Sequence, residues 1–195
     1  MFSKRLFDIT ASFAGLILLS PVLLFIAIWL RLAIPDNPVF FRQIRVGRHG
    51  KLFTLVKFCT MKPGHGGNSI TVAGESRITT VGRFLRRYKL DELPELWNVL
   101  IGEMSLVGPR PDVPGYADKL TGNDRRILNL RPGITGLATL KYSNEEELLA
   151  QQSEPVKFND EVLFPDKVRI NLEYIENRSF LLDIKIIILT VLGRR

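Results

Sequence analysis

The sequence has little cysteine and little histidine. Its 195 residues include one cysteine, Cys59, and two histidines, His49 and His65. A single cysteine excludes a disulfide framework and is typical of a protein in a reducing compartment. Without a cluster of cysteine and histidine no zinc site is indicated, and a His-dependent catalytic triad is not expected. The length suits one domain with its own core rather than two.

Acidic residues are scarce in the first half of the chain. Residues 1–90 hold 14 Lys and Arg against 3 Asp and Glu, whereas residues 91–195 hold 13 against 17. The net charge of +7 is therefore concentrated in the N-terminal half. A nucleic-acid-binding module would use such a basic half to contact backbone phosphates. It should also show a known base-recognition motif, or aromatic residues interleaved with the basic ones on which bases stack. Neither is evident, so we predict no nucleic-acid partner.

The charge-free stretch from Ile9 to Leu30 is 22 residues long. At about 1.5 Å per residue, a helix of this length could cross a hydrocarbon core about 30 Å thick. The run is too long for a signal peptide, and no small-x-small cleavage site follows it. We expect a membrane segment that remains in the mature protein.

Ser20 and Pro21 interrupt this run just past its middle. Pro21 cannot donate a hydrogen bond to the carbonyl of Ile17, and the Ser20 hydroxyl can bond back to the preceding turn, which together favour a sharp bend. Basic residues mark the cytoplasmic side of a membrane, and they flank both ends of the run. We expect a re-entrant helix within residues 1–34; a Pro-kinked helix that spans the bilayer is the alternative. The flanking basic residues are Lys4, Arg5, Arg31, Arg42, Arg45, Arg48 and Lys51.

Residues 35–195 are expected to form one mixed α/β domain, mostly helical with a small sheet. Pro35 to Pro38 reads as a turn, and Lys51 to Met61 is rich in β-branched and aromatic residues, which predicts a strand that carries Lys57. Gly64 to Ser69 reads as a linker loop, since it matches no phosphate-binding fingerprint. The C-terminal stretch Phe180 to Arg195 is either an interfacial helix or a packed core helix, because its uncharged run is too short to span a bilayer.

The stretch LDELPELW, from Leu90 to Trp97, places two adjacent carboxylates after a basic run. Pro94 is acceptable only in the first turn of a helix, so we expect a helix that starts at or just before Asp91 and Glu92. The two acids either cap the N-terminus of that helix or take part in catalysis. The expected buried face of the helix consists of Leu93, Leu96, Trp97 and Leu100.

Two prolines enclose a single arginine at Pro109, Arg110 and Pro111. Proline fixes its own φ and restricts the backbone of the preceding residue. The backbone that carries the Arg110 side chain is therefore rigid. A planar guanidinium suits bidentate contact with phosphate oxygens, although an ion pair between two turns is an equally good explanation. The stretch Arg131 to Gly136 predicts a second rigid turn with a cation.

Several of these segments together resemble one known family. The motifs KFCTM, LDELPELWNVLIGEMSLVGPRP and RPGITG, behind a hydrophobic segment broken at Ser-Pro, are similar to the bacterial sugar transferase family of small monotopic phosphoglycosyl transferases. The resemblance extends over nearly the whole chain, and its central motif is about twenty continuous residues.

The resemblance implies a reaction and a location. Such an enzyme moves a phospho-sugar from a UDP-sugar to polyprenyl (undecaprenyl) phosphate, and it gives polyprenyl-diphospho-sugar and UMP. It works at the cytoplasmic face of the bacterial inner membrane and starts the synthesis of a glycoconjugate such as capsule, O-antigen or exopolysaccharide. Later glycosyltransferases of the pathway would be candidate partners. A non-catalytic membrane scaffold is the alternative, but it leaves the adjacent carboxylates unexplained.

The resemblance also implies roles for individual residues. Asp91 would attack the sugar-linked phosphate to form a covalent intermediate, and Glu92 would help to hold Mg²⁺. Lys57, Arg86 and Arg110 would be the phosphate-binding cations. These roles agree with general chemistry, because carboxylates are established nucleophiles and phosphoryl transfer depends on positioned cations.

Two positions depart from the family pattern. Family members often carry a basic residue in place of Cys59 and a glutamine in place of Thr139, which leaves the contacts there and the choice of sugar open. The acidic stretch from Ser143 to Gln152 is either a solvated helix or part of a lid over the site.

Overall fold

The computed structural model describes residues 2–62 and 77–193. Within these ranges the chain is mostly helical. The predicted loop from Gly64 to Ser69 lies outside the described residues, as do Arg194 and Arg195. The helices are α1 (Phe2–Leu18), α2 (Ser20–Ala33), α3 (Thr80–Arg87), α4 (Glu95–Ile101), α5 (Leu137–Lys141), α6 (Glu145–Ala150), α7 (Pro155–Phe158), α8 (Phe164–Asn177) and α9 (Phe180–Val191).

Two small sheets complete the described part of the fold. Strands β1 (Phe40–Val46) and β2 (Leu52–Phe58) form an antiparallel hairpin. Strands β3 (Ser105–Val107) and β4 (Gly133–Thr135) pair in parallel. This agrees with the expected mixed, mostly helical fold, and β2 confirms the predicted strand that carries Lys57.

The N-terminal hydrophobic segment is broken where the sequence predicts. Helix α1 ends at Leu18 and α2 begins at Ser20, and the two helices are bent by 59°. The Ser20 hydroxyl donates to the carbonyl of Ile17 at 2.7 Å, which is the carbonyl that Pro21 leaves without an amide donor. Among the residues with described structure, no single helix is long and apolar enough to cross a membrane, whereas this bent pair passes that test together.

The first turns of α1 are bound to the rest of the domain by polar contacts. The Arg5 guanidinium donates to the carbonyls of Val99 and Leu100, at 2.7 and 2.9 Å. The buried carboxylate of Asp8 accepts a 2.8 Å hydrogen bond from the Ser105 hydroxyl. The start of α1 is therefore part of the folded domain.

Helix α2 packs on the domain through its second half, whereas the residues around the bend between α1 and α2 do not. Ile26 and Leu30 of α2 are buried against Phe58 and Leu85, so the second half of α2 also packs on the domain. Around the bend, by contrast, many large apolar side chains are exposed. They are Phe13, Ile17, Leu18, Val22, Leu24, Phe25 and Ile28.

Helix α9 has one buried face and one exposed apolar face. Ile186 is fully buried, and Asp183 accepts from the Tyr174 hydroxyl and from Lys4, each at 2.5 Å. The opposite face exposes Leu181, Ile188, Val191 and Leu192. The buried face agrees with a core helix, and an interfacial position of the exposed apolar face stays a prediction.

Gly82 allows α3 to lie directly against the end of the β hairpin. A Cβ atom at this position would lie 2.0 Å from the carbonyl oxygen of Thr60. In an ordinary helix, alanine in place of glycine stabilises by about 0.5–1 kcal/mol. Here the overlap with a backbone atom reverses the sign, so Gly82→Ala should destabilise the protein by about 1–3 kcal/mol.

Thermal unfolding of the detergent-solubilised protein checks this prediction. Gly15→Ala in α1 is the matched control, because its Cβ would meet only the end of the Leu96 side chain, at 3.3 Å. We expect a lower midpoint for Gly82→Ala and little change for Gly15→Ala. A raised midpoint for Gly82→Ala would contradict the close approach of α3 to Thr60.

Candidate active site

The two adjacent carboxylates lie on a short turn in front of α4. Residues Leu90–Glu92 form a 3₁₀ turn that follows Lys89, whose backbone is left-handed with φ of 57°. Because Pro94 has no N–H to continue an α-helical ladder, the α-helix begins only at Glu95. The expected helical start just before Asp91 and Glu92 is therefore confirmed as a 3₁₀ turn, and the α-helix itself starts one turn later.

The predicted buried face of this helical segment is wrong at Trp97, whereas Leu93 packs against a buried cluster. Trp97 is 52% exposed, whereas Glu95, Asn98 and Val99 are buried. The reason is a polar contact with β2, since the Asn98 amide donates to the Thr54 carbonyl at 2.8 Å. This contact turns the apolar stripe of α4 away from the strand, and Leu96 lies near Gly15 of α1 instead.

Two of the predicted phosphate-binding cations, Lys57 and Arg110, both contact the carboxylate of Glu92. Arg110 donates to both carboxylate oxygens of Glu92, and the Lys57 ammonium lies 3.2 Å from Glu92 Oε1. Burial alone would raise the pKa of Glu92, but Arg110 and Lys57 together hold that pKa well below its usual value. Glu92 in turn raises the pKa of Arg110. Glu92 is therefore ionised and held in place.

Glu95 is a member of the site that the sequence analysis missed. Its side chain is 1% exposed, and its Oε1 lies 3.2 Å from the Lys57 ammonium. Two carboxylates, Glu92 and Glu95, thus share one ammonium. Burial, together with the charge of Glu92, raises the pKa of Glu95 to about 7. The signal in the sequence was the spacing of three residues between Glu92 and Glu95, which places both on one side of a helical turn.

Asp91 differs from both glutamates. It is 6% exposed, and no side chain or amide of the described chain donates a hydrogen bond to its carboxylate. Burial raises the pKa of Asp91, as does neighbouring Glu92, while Lys57, Arg86 and Arg110 oppose the shift. A carboxylate without hydrogen-bond donors, but beside cations, is suited to act as a nucleophile.

The third predicted cation, Arg86, lies beside the dyad without contacting Glu92. It pairs with Glu146 of α6, and it donates to the Thr60 hydroxyl at 3.4 Å. Glu145 pairs with Lys167 at 2.6 Å. The acidic stretch is therefore not a purely solvated helix, because two of its glutamates are ion-paired to cations of other helices.

Three further residues singled out in the sequence have surroundings that it did not predict. The buried Cys59 thiol lies against the Asn37 amide, at 3.7 Å, so it packs in the interior. The Thr139 hydroxyl is buried and has no hydrogen-bond partner among the residues described. Arg131 donates to the Gly102 carbonyl at 2.8 Å, and the residues after it form β4 rather than the predicted turn.

The residues of the dyad fit a magnesium ion. No group of three potential metal ligands occurs among residues 2–62 and 77–193. Mg²⁺ is usually bound through one or two carboxylates together with substrate phosphates, so a full protein cage is not required. Glu92 Oε2 accepts only a 3.4 Å hydrogen bond, and the Asp91 carboxylate accepts none within these ranges. Both carboxylates therefore keep lone pairs for a cation.

The raised pKa of Glu95 makes the free energy of unfolding depend on pH. It is about 7 in the folded protein, against an ordinary value of 4.5. Between these values the folded state holds the proton more tightly than the unfolded state, so stability falls as the pH rises from about 4.5 to about 7. Glu95→Gln should remove this slope and stabilise the protein at pH 8 by up to about 3 kcal/mol.

Thermal unfolding of the wild type and Glu95→Gln between pH 4 and 8 measures this contribution. Glu92 has the opposite pH dependence and is coupled to Glu95 through their charges, so the difference between the two proteins reports Glu95 together with this coupling. Glu147→Gln, at an exposed position of α6, is the control. A lower midpoint of Glu95→Gln at pH 8 would mean that the ion pair with Lys57 outweighs the burial of the charge.

Comparison with known proteins identifies the family. The model of a family described as bacterial sugar transferase matches residues 1–194. The chain belongs to the bacterial sugar transferase family. An uncharacterized sugar transferase, EpsL, of Bacillus subtilis (strain 168) is 40% identical to it over 191 residues, which cover 98% of this chain and 86% of the relative.

Two further relatives differ in length. The UDP-glucose:undecaprenyl-phosphate glucose-1-phosphate transferase of Escherichia coli (strain K12) is 38% identical over 198 residues, which cover 96% of this sugar transferase but 39% of the relative. The exopolysaccharide production protein PSS of Rhizobium leguminosarum bv. phaseoli is 36% identical over 199 residues, which cover 97% and 94% of the two chains. This sugar transferase therefore spans less than half of the first of these proteins and nearly all of the second.

Proposed function

We propose that this sugar transferase moves a phospho-sugar from a UDP-sugar to polyprenyl phosphate and releases UMP. The family and the reaction named for the Escherichia coli relative support this activity. The observation that carries the proposal is the contrast within the dyad. Asp91 accepts no hydrogen bond from the described residues, whereas adjacent Glu92 is held by Lys57 and Arg110.

The proposed reaction has two steps at one phosphorus atom. In the first, a carboxylate oxygen of Asp91 attacks the sugar-linked phosphorus, the bond to the UMP oxygen breaks, and UMP leaves. In the second, a phosphate oxygen of the polyprenyl phosphate attacks the same phosphorus, and the Asp91 carboxylate leaves. A covalent step divides one difficult displacement into two easier ones, and it lets a soluble donor and a lipid acceptor use the site in turn.

Lys57 and Arg110 supply the positive charge for these steps. Both now neutralise Glu92, and they are adjacent to Asp91, where the diphosphate of the donor has to bind. Phosphoryl transfer depends mainly on positioning and on neutralising charge at the phosphate oxygens. Arg110 is suited to grip two oxygens because its guanidinium is planar and its backbone is fixed between Pro109 and Pro111.

Mg²⁺ would bind through Glu92, with Asp91 adjacent, and would neutralise charge on the diphosphate oxygens. The role of the chain is to hold Glu92 in its ionised form, which Arg110 and Lys57 do by lowering its pKa.

We also infer that α1 and α2 enter the membrane and return on one side. The support is that both ends of the broken helix pack on the same domain, through Arg5 and Asp8 at the start of α1 and through Ile26 and Leu30 in α2. Exposed apolar side chains occur along both helices, from Leu6 through the bend at Leu19 to Leu32, and in the proposed arrangement those near the bend would meet lipid. We propose on this basis that the enzyme works at the cytoplasmic face of the bacterial inner membrane, since basic residues mark that face and flank both ends of the hydrophobic run.

Labelling from one side of the membrane tests this topology. Ser3→Cys and Arg42→Cys variants, made with Cys59 replaced by alanine, should both react with an impermeant thiol reagent in inside-out vesicles, and neither should react in intact spheroplasts. Pro21→Ala restores an amide donor and should favour a straighter helix, which would move Ser3→Cys to the other side. Opposite-side labelling of the two positions without that substitution would contradict a re-entrant segment.

Release of UMP tests the proposed activity directly. The purified protein is incubated with Mg²⁺, undecaprenyl phosphate and a panel of UDP-sugars, and UMP is measured. We expect release with at least one sugar, and the product would then serve later glycosyltransferases of a glycoconjugate pathway. No release with any sugar would favour a non-catalytic scaffold.

A further inference from the structure

Four aromatic rings follow one another along the surface from α2 to α3. The ring centroids of Phe25 and Trp29 lie 6.0 Å apart, and those of Trp29 and Phe84 lie 5.7 Å apart. Phe84 and Tyr88 continue the row at 4.9 Å. Phe25, Phe84 and Tyr88 are exposed, and a contiguous exposed apolar surface indicates an apolar partner. We call these four residues the aromatic track.

The aromatic track connects the hydrophobic segment to the dyad. Leu85, on the other face of α3, is fully buried in one cluster with Leu30 of α2, which fixes α3 along the second half of α2. Phe25 belongs to the segment that we propose to enter the membrane. At the other end, Tyr88 precedes Asp91 by three residues. The track therefore starts in the hydrophobic segment and ends beside the dyad.

The end of the track carries positive charge. Arg83, Arg87 and Lys89 are exposed, and none of them is ion-paired to a carboxylate within the described part of the chain. Lys89 directly precedes the 3₁₀ turn Leu90–Glu92, and the Glu92 N–H donates to the Lys89 carbonyl at 3.3 Å. The charge of Lys89 also lowers the pKa of Glu92. Positive charge that no described carboxylate neutralises therefore lies where the track meets the dyad.

An apolar row that leads to such cations matches one substrate of the proposed reaction. Polyprenyl phosphate has a long apolar chain, and its phosphate is a monoester with about 1.5–2 negative charges at pH 7. UDP-sugar has no apolar chain that the track could bind. The phosphate of an ordinary phospholipid is a diester with a single charge, and it does not have to reach Asp91. The acceptor does have to pass from the bilayer to Asp91, which is the course of the track.

We propose that the aromatic track binds the first isoprene units of polyprenyl phosphate, and that Arg87 and Lys89 bind its phosphate. This inference rests on the proposed function, because it concerns the second step of that reaction. An oxygen of the acceptor phosphate forms a bond to the phosphorus held by Asp91, the bond from that phosphorus to the Asp91 oxygen breaks, and the carboxylate leaves. The donor diphosphate is assigned to Lys57 and Arg110, so the two substrates use different groups of the site.

The two half-reactions separate acceptor binding from donor binding. The double variant Phe84→Ala/Tyr88→Ala and the variant Lys89→Gln, given only UDP-sugar and Mg²⁺, should release UMP in a burst within about twofold of the wild-type rate. On addition of undecaprenyl phosphate, transfer of the phospho-sugar from the enzyme should slow at least about tenfold, because apolar or charged contacts to the acceptor are lost.

Matched controls and contrary outcomes follow from the same experiment. Trp97→Ala removes an exposed aromatic ring outside the track, and Lys51→Gln removes an exposed cation of the hairpin; both should leave the two half-reactions unchanged. A burst slowed as much as the transfer step would assign the track to the donor or to the fold and would overturn the proposal. Unchanged transfer in the double variant and in Lys89→Gln would also overturn it.

Direct binding of the acceptor needs no turnover. Binding of labelled undecaprenyl phosphate to the detergent-solubilised protein should weaken at least about fivefold in the double variant and in Lys89→Gln. Equal displacement of the label by phosphatidylglycerol would mean that the track binds phospholipid in general, and it would contradict the assignment to the acceptor. If the wild type released no UMP with any sugar, the proposed function would fail, and this binding measurement would still decide whether the track holds polyprenyl phosphate.

Discussion

Asp91→Asn should reduce the release of UMP by at least about 10³-fold, because removal of a covalent nucleophile has effects of this order or larger. The amide has nearly the shape of the carboxylate but is a far poorer nucleophile. Asp91 accepts no hydrogen bond from the described residues, and burial raises its pKa, so the substitution removes no contact and should not lower the thermal midpoint. Binding of the UDP-sugar should therefore survive.

A single-turnover experiment distinguishes covalent from direct attack. Wild-type enzyme given only UDP-sugar and Mg²⁺ should release about one UMP per active site and retain the phospho-sugar, which is the burst expected of covalent catalysis. Mass spectrometry of a digest should find the added mass on the peptide that contains Asp91. The variant should show neither burst nor adduct, while Asp36→Asn, at an exposed position, should show both. If UMP appeared only together with polyprenyl phosphate, and no peptide carried the adduct, the acceptor would attack directly.

Arg110→Ala should lower kcat by about 10²–10³-fold, the range seen when one charge-stabilising donor is removed from an active site. The same change leaves Glu92 with Lys57 as its remaining cationic partner in the described structure, so the pKa of Glu92 should rise towards its usual value. The lower limb of the pH–rate profile should therefore move to higher pH in this variant. A purely structural arginine would not produce that shift.

The lysine variant separates charge from geometry. Arg110→Lys keeps a positive charge but lacks the planar fork that contacts both oxygens of Glu92 and that would grip two phosphate oxygens. It should recover only part of the activity lost in Arg110→Ala. Arg126→Ala, which removes a partly exposed ion pair with Glu176, should leave kcat within about twofold. Full activity of Arg110→Lys would mean that the guanidinium acts only through long-range charge.

Features that depend on neighbours in sequence could be predicted from the sequence. The break at Leu19 follows from Pro21 and from the Ser20 hydroxyl, which act within one helical turn. Strand β2 follows from the alternation and the residue types around Lys57. Arg110 and Glu92 were predicted as members of one site through a continuous motif, although only the structure shows that they contact each other.

Features that depend on distant partners could not be predicted in this way. Burial of Glu95 requires Lys57 of β2 as its partner, and the orientation of Trp97 depends on the hydrogen bond between Asn98 and Thr54. The pairing of Arg86 with Glu146 joins residues 60 positions apart. A helical periodicity gives the faces of a helix, but it does not say which face the rest of the fold will cover.

The contact between Lys4 and Asp183 bears on how the protein assembles, because it joins residues 179 positions apart. At a synthesis rate of about 5–20 residues per second, the first helix waits roughly 10–40 s for this partner to leave the ribosome. Contacts of such high sequence separation also slow the folding of the completed chain. We therefore expect a chain truncated before Asp183 to leave Lys4 without this partner, while Arg5 and Asp8 still hold the start of the helix on the domain. The helix that is made first is the one that completes its contacts last.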